Sequence, residues 1–421
     1  MLEWALLFSI LFIIICLFFI YQLYISNQQT IHTPLSIHPY ASTVLQKVNL
    51  VTSQLSFIPT FFRVYFLGVI ETVIILFWKR GIFGGKTNVD TEMAIDQLIQ
   101  QYQLDSTKQQ RYAIITGADS GIGFEIAKSL LMIGYHVIIA SRTTSLGKQA
   151  QQKLVQLTGS SKVTFYTMDL CSFESVHQFI QQVQTLFKKG EIDVLINNAG
   201  VMNIPYTVTK DGLEAQCQTN YISPLLLTLS LLPWINQQHG HILFAASSTL
   251  YAATPLDPFI AKTRYRLDGL THYAHSKMMV TQLTRILGQK LQNQASRIKV
   301  NCYHPGTVRT NLFAHSTIFT LSITKSIFDY IMLTPKEGSG TPLYLVMKYM
   351  DDHIIPDSNG QYWADALPQQ IPTHLEIKLN TYKKDKFSTD IKTMLWTTTL
   401  ALCDLSPLEV DNWIKSTVLL E

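Results

Sequence analysis

The sequence predicts an α/β protein, a doubly wound parallel sheet with helices on both faces, joined to an N-terminal transmembrane helix or helical hairpin. Three observations carry this expectation. From residue 112 onward, short β-branched apolar runs alternate with stretches of helical periodicity. A glycine-rich turn stands between the first of these runs and the helix that follows. The first eighty residues carry as charges only Glu3, Lys47, Arg63, Glu71, Lys79 and Arg80. In the 421-residue chain as a whole, charged residues make up 15%, against about 25% in soluble domains.

The apolar runs are YAIIT (112–116), HVIIA (136–140), KVTFYTMDL (162–170), DVLINNAG (193–200), HILFAASS (241–248) and RIKVNCYHPG (297–306), with a short final one, QYW (361–363). Each reads as a strand covered on both faces, which a parallel sheet requires. The organisation that follows is a membrane-anchoring segment (1–86), a polar, Gln-rich helical linker (87–110), a main domain (111–370) and a helical tail (371–421). The tail carries Lys383, Lys384 and Lys386 before an apolar helix near 394–405, which reads as a surface helix or as support for a lid.

Residues 4–25 are uncharged and long enough, at about 1.5 Å per residue, to cover a hydrocarbon core of about 30 Å. Trp4 at one end and Tyr21 and Tyr24 at the other suit the two interfaces. A cleaved signal peptide would need a basic start and a shorter core, whereas the early charge here is Glu3. A second apolar stretch (61–78) holds Arg63 near its start and Glu71 at its middle, and a carboxylate at mid-bilayer is costly. It is expected to be a second span, a re-entrant arm or a helix lying on the membrane. Lys79, Arg80 and Lys86 after it predict that the main domain faces the cytosol, on an endoplasmic reticulum or lipid-droplet membrane. The absence of an Asn-x-Ser/Thr sequon agrees.

A net charge of +4 without a Lys/Arg cluster among aromatics argues against nucleic acid as a partner. The five cysteines, Cys16, Cys171, Cys217, Cys302 and Cys403, lack CxxC spacing. Neither a metal site nor a disulfide framework is therefore expected.

The first strand runs into Thr116-Gly117-Ala118-Asp119-Ser120-Gly121-Ile122-Gly123 and then a helix. Glycines let the backbone approach a phosphate, and the helix N-terminus offers free N–H groups, so Thr116, Gly117, Asp119, Ser120, Gly121, Ile122 and Gly123 are candidate dinucleotide-binding residues. The second strand ends Ala140-Ser141-Arg142-Thr143 with no acidic residue for a ribose 2′-hydroxyl. Arg142 therefore points to NADP(H), whose 2′-phosphate a guanidinium can hold, with Thr143 as a helper and Ser141 a further candidate cofactor contact. Further along, Tyr273 and Lys277 lie at i,i+4 on one helical face, where an ammonium can favour the phenolate of a proton-transferring tyrosine. Ser248 ends the fifth strand and can hold an alcohol or carbonyl oxygen, and Asn220 can position a water or backbone group for proton relay.

TGxxxGxG, Asp169, NNAG (197–200), Asn220, Ser248, YxxxK (273–277) and PGxVxT (305–310) stand in the order of the short-chain dehydrogenase/reductase family, which residues 110–370 resemble. The resemblance implies a Rossmann-like sheet in the order 3-2-1-4-5-6-7 and a catalytic tetrad of Asn220, Ser248, Tyr273 and Lys277. It places Asp169 and Leu170 at the adenine and Asn198, Ala199 and Gly200 along the cofactor, with Asn198 supporting the central sheet. Tyr273 and Lys277 would also touch the cofactor, beside Pro305, Gly306, Val308 and Thr310, the last holding the nicotinamide carboxamide. The stretches HVIIA, INNAGVM, KDGLE (210–214), YAHSK and TPKEG (334–338) are similar to the retinol-dehydrogenase-like branch, as is the long insert between Ser248 and Tyr273. Ser223-Pro224 and Phe244-Ala245-Ala246 depart from the family pattern without removing a catalytic group.

Residues 312–333, which the resemblance identifies as a substrate lid, are apolar with a single lysine. The expected function is NADP(H)-dependent interconversion of a lipophilic alcohol, polyprenol-, retinoid- or sterol-like, with its aldehyde or ketone, drawn from membrane lipid. The competing expectation is a non-catalytic membrane or lipid-droplet protein that keeps the nucleotide-binding fold.

Overall fold

A computed structural model describes residues 58–75, 91–103, 110–253, 267–310, 312, 331–348, 359–369 and 391–418. The apolar segment 4–25, the basic group Lys79, Arg80 and Lys86, most of the expected lid and the lysines 383, 384 and 386 lie outside these residues.

Eight strands form one sheet: β1 (Tyr112–Thr116), β2 (His136–Ser141), β3 (Val163–Thr167), β4 (Val194–Asn197), β5 (His241–Ala245), β6 (Lys299–His304), β7 (Tyr362–Ala364) and β8 (Leu367–Gln369). Their order is β3-β2-β1-β4-β5-β6-β7-β8. The first seven are parallel, in the Rossmann-like order, and β8 turns back antiparallel on β7. Several strands stop short of the apolar runs. β3 ends before Asp169, β4 before Asn198 and β5 before Ser248. At those ends the polar residues of each run leave the sheet and turn over its rim. The chain reverses direction between β1 and β4, and that switch point opens a crevice at the C-terminal rim.

Alternate residues of the inner strands feed two cores, because side chains alternate between faces. Ile114 and Ile138 face one layer with helices α1 (Thr60–Ile74), α5 (Phe173–Leu186), α7 (Ser223–Leu231), α8 (Gly269–Asn293), α11 (Ile391–Leu402) and α12 (Pro407–Lys415). Ala113, Ile115, Val137 and Ile139 face the other, with α2 (Thr91–Gln101), α3 (Gly121–Ile133), α4 (Thr144–Thr158) and α10 (Gly340–Lys348). Two short helices, α6 (Ala215–Cys217) and α9 (Pro335–Gly338), complete the series. In the tail, Leu395, Trp396, Leu400, Cys403, Val410 and Ile414 bury against the first layer, so the tail is a packed helical pair. The segment read as a linker contributes α2, which docks through Ala94, Ile95 and Ile99 and through Asp96 to Lys336 at 2.7 Å.

The second apolar stretch corrects the membrane expectation. Among the described residues no helix is long and apolar enough to cross a membrane. Residues 60–74 instead form α1, a 15-residue helix. Its buried face, Val64, Leu67, Ile70 and Ile74, joins the core and packs over the 3-10 turn Ser248–Ala252 and over α8. The physical reason lies in Glu71. Its carboxylate, costly in lipid, finds hydrogen-bond donors inside the protein.

Candidate active site

The crevice at the rim is a cavity of about 400 Å³. The turn from β1 into α3 forms its floor. Gly117 (φ +65°) and Gly121 (φ +59°) hold left-handed backbone, and a Cβ on Gly117 would lie 2.8 Å from the Ala199 Cα. A Cβ on Gly123 would meet the Asn198 Nδ2 and the Gly117 carbonyl oxygen at 2.5 Å. Ser120 at the head of α3 makes no side-chain cap, so the first amides of the helix remain available to an anion. Asn198 ties the floor together: its Nδ2 donates to the Thr116 and Gly117 carbonyls at 3.1 and 3.2 Å. Its Oδ1 accepts from the Tyr303 hydroxyl at 3.2 Å. That is the sheet-supporting place expected of it.

Thr116, Gly117, Asp119, Ser120, Gly121, Ile122, Ser141, Arg142, Asp169, Leu170, Asn198, Ala199, Gly200, Pro305 and Thr310 all line the cavity. Gly123 lies beneath it against Asn198, while Val308 packs on Gly338 and Leu333 rather than lining it, and Gly306 (φ +85°) turns the chain beneath Leu333. Asp169 accepts from the Cys171 amide at 2.9 Å, which fixes its carboxylate at the rim of β3.

The donor set suits a dinucleotide. The buried Ser141 hydroxyl has no hydrogen-bond partner among the described residues, and Ser141 lines the cavity. Beside it, Arg142 is exposed and makes no ion pair among the described residues. A buried donor without a partner costs about 1–3 kcal/mol, so Ser141 is poised to be satisfied by a ligand. Thr143 extends the same wall, as do Leu146, Met168 and Cys171, which were not singled out by the sequence.

At the other end of the cavity, Tyr273 and Lys277 of α8 both line it. Asp268 caps α8 by accepting from the Thr271 amide at 2.9 Å. Lys277 Nζ donates to the Ala245 carbonyl at 2.7 Å and lies 5.6 Å from the Tyr273 ring centroid. Burial lowers the Lys277 pKa to about 8, partly opposed by the Cys302 thiol. Burial raises the Tyr273 pKa to about 12; the Ser247 hydroxyl opposes the rise and the Glu71 charge adds to it. Burial therefore outweighs the phenolate-favouring influence expected of Lys277. At neutral pH Tyr273 carries its proton.

Asn220 sits in a π-helical turn (Gln218–Ile222) between α6 and α7, a local widening common at functional sites. Its Oδ1 accepts from the Val201 amide and its Nδ2 donates to the Val201 carbonyl, both at 2.9 Å. The same Nδ2 donates to Ser276 Oγ at 2.9 Å, and Ser276 Oγ donates to the Tyr273 carbonyl at 2.8 Å. Asn220 thus clamps the loop after β4 to the helix that carries Tyr273.

Ser248 donates to Glu71 Oε2 of α1 at 2.7 Å, and its neighbour Ser247 hydrogen-bonds Tyr273. Glu71 Oε1 meets His304 Nε2 at 2.6 Å, and the Ser248 amide points at His304 Nδ1 at 3.3 Å. Glu71, His304 and Ser247 were missed by the sequence reading. The carboxylate inside an apolar stretch was the available signal.

Away from the cavity, Glu214, Cys217 and His272 bring a carboxylate, a thiol and an imidazole within 4.8 Å of one another, all buried. Local bonds already engage them. Glu214 caps α6 through the Cys217 amide at 2.8 Å, and His272 Nε2 accepts from the Leu267 amide at 3.3 Å.

A glycine cradle at the switch point of a Rossmann-like sheet, facing a Tyr–Lys pair across one cavity, defines a nucleotide-dependent oxidoreductase. The family model for short chain dehydrogenase matches residues 111–318. Short-chain dehydrogenase TIC 32 A, chloroplastic, of Brassica napus is 32% identical over 284 residues, 65% of this chain and 85% of that protein. Polyprenol dehydrogenase of Homo sapiens is 34% identical over 244 residues (56% and 72%), and retinol dehydrogenase 14 of Mus musculus 31% over 272 residues (61% and 78%). A crystal structure of an uncharacterized protein from Mycobacterium Paratuberculosis shares the fold, with a TM-score of 0.54 at 24% identity over 70% of this chain and 94% of that one. The chain belongs to the short-chain dehydrogenase family, whose members are oxidoreductases of alcohol and carbonyl groups.

Proposed function

We propose that the chain is an NADP(H)-dependent oxidoreductase that interconverts a lipophilic alcohol, of polyprenol, retinoid or sterol type, with its aldehyde or ketone. The observation that carries this is one cavity lined at one end by the glycine cradle, Ser141 and Arg142, and at the other by Tyr273 and Lys277. The cofactor supplies, when bound, the two-electron donor or acceptor. Thr116, Gly117, Asp119, Ser120, Gly121, Ile122 and Gly123 would hold or shape the seat of its pyrophosphate, Ser141 and Arg142 its 2′-phosphate, and Asp169 and Leu170 its adenine. Asn198, Ala199, Gly200, Pro305 and Thr310 would frame the rest, with Gly306 and Val308 packed behind them.

In reduction, protonated Tyr273 gives its proton to the carbonyl oxygen; in oxidation the alcohol proton passes to the ionised Tyr273 oxygen, a form that burial confines to alkaline pH. Lys277 sits close enough to stabilise the phenolate left behind, Ser248 orients the oxygen, and Asn220 keeps the Tyr273 helix in register with the loop after β4. The apolar character of the sequence after the PG turn supports a lipid substrate, as do relatives named polyprenol and retinol dehydrogenases. Residues 4–25 would hold the enzyme on an endoplasmic reticulum or lipid-droplet membrane with its catalytic unit in the cytosol.

The test is turnover by the purified full-length chain, in liposomes, of all-trans-retinal, polyprenals and sterol ketones with NADPH and with NADH. Activity with NADPH on at least one lipid pair is expected. Tyr273→Phe should lower kcat by about 10²–10⁴-fold, the range of general acid–base catalysis, while nucleotide still binds. A variant with near-normal kcat would overturn the mechanism.

A further inference from the structure

We propose that Glu71, delivered by α1 from outside the family's tetrad, is a positioning residue of the active site: it fixes the direction of the Ser248 hydroxyl so that this serine meets the reacting oxygen as a hydrogen-bond acceptor. The proposal rests on the reading of Ser248 as the serine that holds that oxygen.

A backbone N–H can only donate, so the Ser248 amide makes His304 Nδ1 an acceptor. The hydrogen of that imidazole is then on Nε2, which donates to Glu71 Oε1. Glu71 is acceptor-only when ionised. Burial pushes its carboxyl pKa up, but interactions with His304 and with the Ser248 and Thr307 hydroxyls outweigh burial and hold it below the ordinary value. The Ser248 hydroxyl must therefore donate to Glu71 Oε2, and what it offers any other oxygen is its lone pairs. An alcohol can donate to a lone pair, whereas a carbonyl cannot. The site so arranged holds the alcohol in preference to the carbonyl.

The charge has a second consequence. Glu71 faces His304 from β6, Tyr273 from α8 and Tyr362 from β7, and its negative charge opposes ionisation of both tyrosines. Arg63, two turns back on α1, donates to Thr60 at 3.2 Å and lies near His275 of α8.

Glu71→Gln tests this with almost no change in size. The His304 Nε2 hydrogen still needs an acceptor, so the amide oxygen goes to His304 and the amide NH₂ to Ser248. Ser248 then accepts from Gln, and its own proton is released toward the substrate. In the full-length chain, with all-trans-retinol and all-trans-retinal as the probe pair, KM for the alcohol should rise and KM for the carbonyl fall. Their ratio should change by about tenfold or more, the size of one charge-assisted hydrogen bond. The limb of the oxidation pH profile should move to lower pH, because removing the charge lowers the Tyr273 pKa. In a Ser248→Ala background Glu71→Gln should leave the KM ratio unchanged, and if E71Q does not fold, S248A alone should lose the alcohol preference. A parallel loss for both probes, or an unchanged ratio, overturns the proposal. Absence of turnover across all lipids would overturn the functional reading instead. The proposal is then decided by the Tyr273 titration, followed by ¹³C-tyrosine NMR without substrate: a lower midpoint in Glu71→Gln supports it, and an unchanged one overturns it.

Discussion

At the scale of single residues, the cofactor end of the site is a statement about Arg142. Its guanidinium stands exposed on the cavity wall, beside a buried hydroxyl that has no hydrogen-bond partner among the described residues. A charge-assisted hydrogen bond there is worth about 1.5–3 kcal/mol, or about ten- to a hundredfold in affinity. Arg142→Asp should therefore reverse the preference for NADPH over NADH, read as kcat/KM for each cofactor. Equal values in the wild type would remove the basis for assigning NADP(H). The place of Arg142 on the cavity wall was legible in the sequence because it is local: it directly follows β2, the strand after the glycine turn and its helix. Tyr273 and Lys277 were legible for the same reason, four residues apart on one helix. Their protonation was not, because burial sets it: Tyr273 is 4% exposed and Lys277 3%. The hydrogen bond of Ser247 to Tyr273 was not legible beside Ser248, since it depends on the 3-10 turn that begins at Ser248.

At the scale of elements, seven parallel strands could be read from apolar runs because both faces of each are covered. β8 could not: Leu367-Pro368-Gln369 has too little β-branched character to stand out, and it pairs only because the turn at Asp365 and Ala366 brings it back on β7. α1 was visible as a helix but assigned to the wrong solvent. An apolar run interrupted by one carboxylate looks alike whether its outer partner is lipid or protein, and the deciding groups, Ser248 and His304, are remote in sequence. The docked position makes a quantitative demand. Leu67 is 1% exposed in the core, and truncating such a side chain costs about 2–5 kcal/mol. Leu67→Ala should lower the urea midpoint of the whole catalytic unit by a corresponding amount if α1 unfolds with it. A variant in which α1 becomes protease-sensitive while the midpoint stays put would show that the helix undocks separately.

At the scale of the whole molecule, the catalytic unit and the segment proposed to hold it at the membrane are joined through α1. Residues 4–25 are long and uncharged, so the protein should stay in the membrane pellet on carbonate extraction, and protease outside sealed vesicles should digest the catalytic unit. Release into the supernatant would remove the anchor, and full protection would reverse the topology. The contacts of Glu71 also set a chronology. Ser248 and His304 lie 177 and 233 residues downstream of it, so a growing chain exposes α1 long before its seat exists. Closing loops of that size comes late in folding. The apolar stripe of Val64, Leu67, Ile70 and Ile74 stays uncovered in the interval. The seating of α1 then comes last, and the same step brings the Glu71 carboxylate to Ser248 and His304.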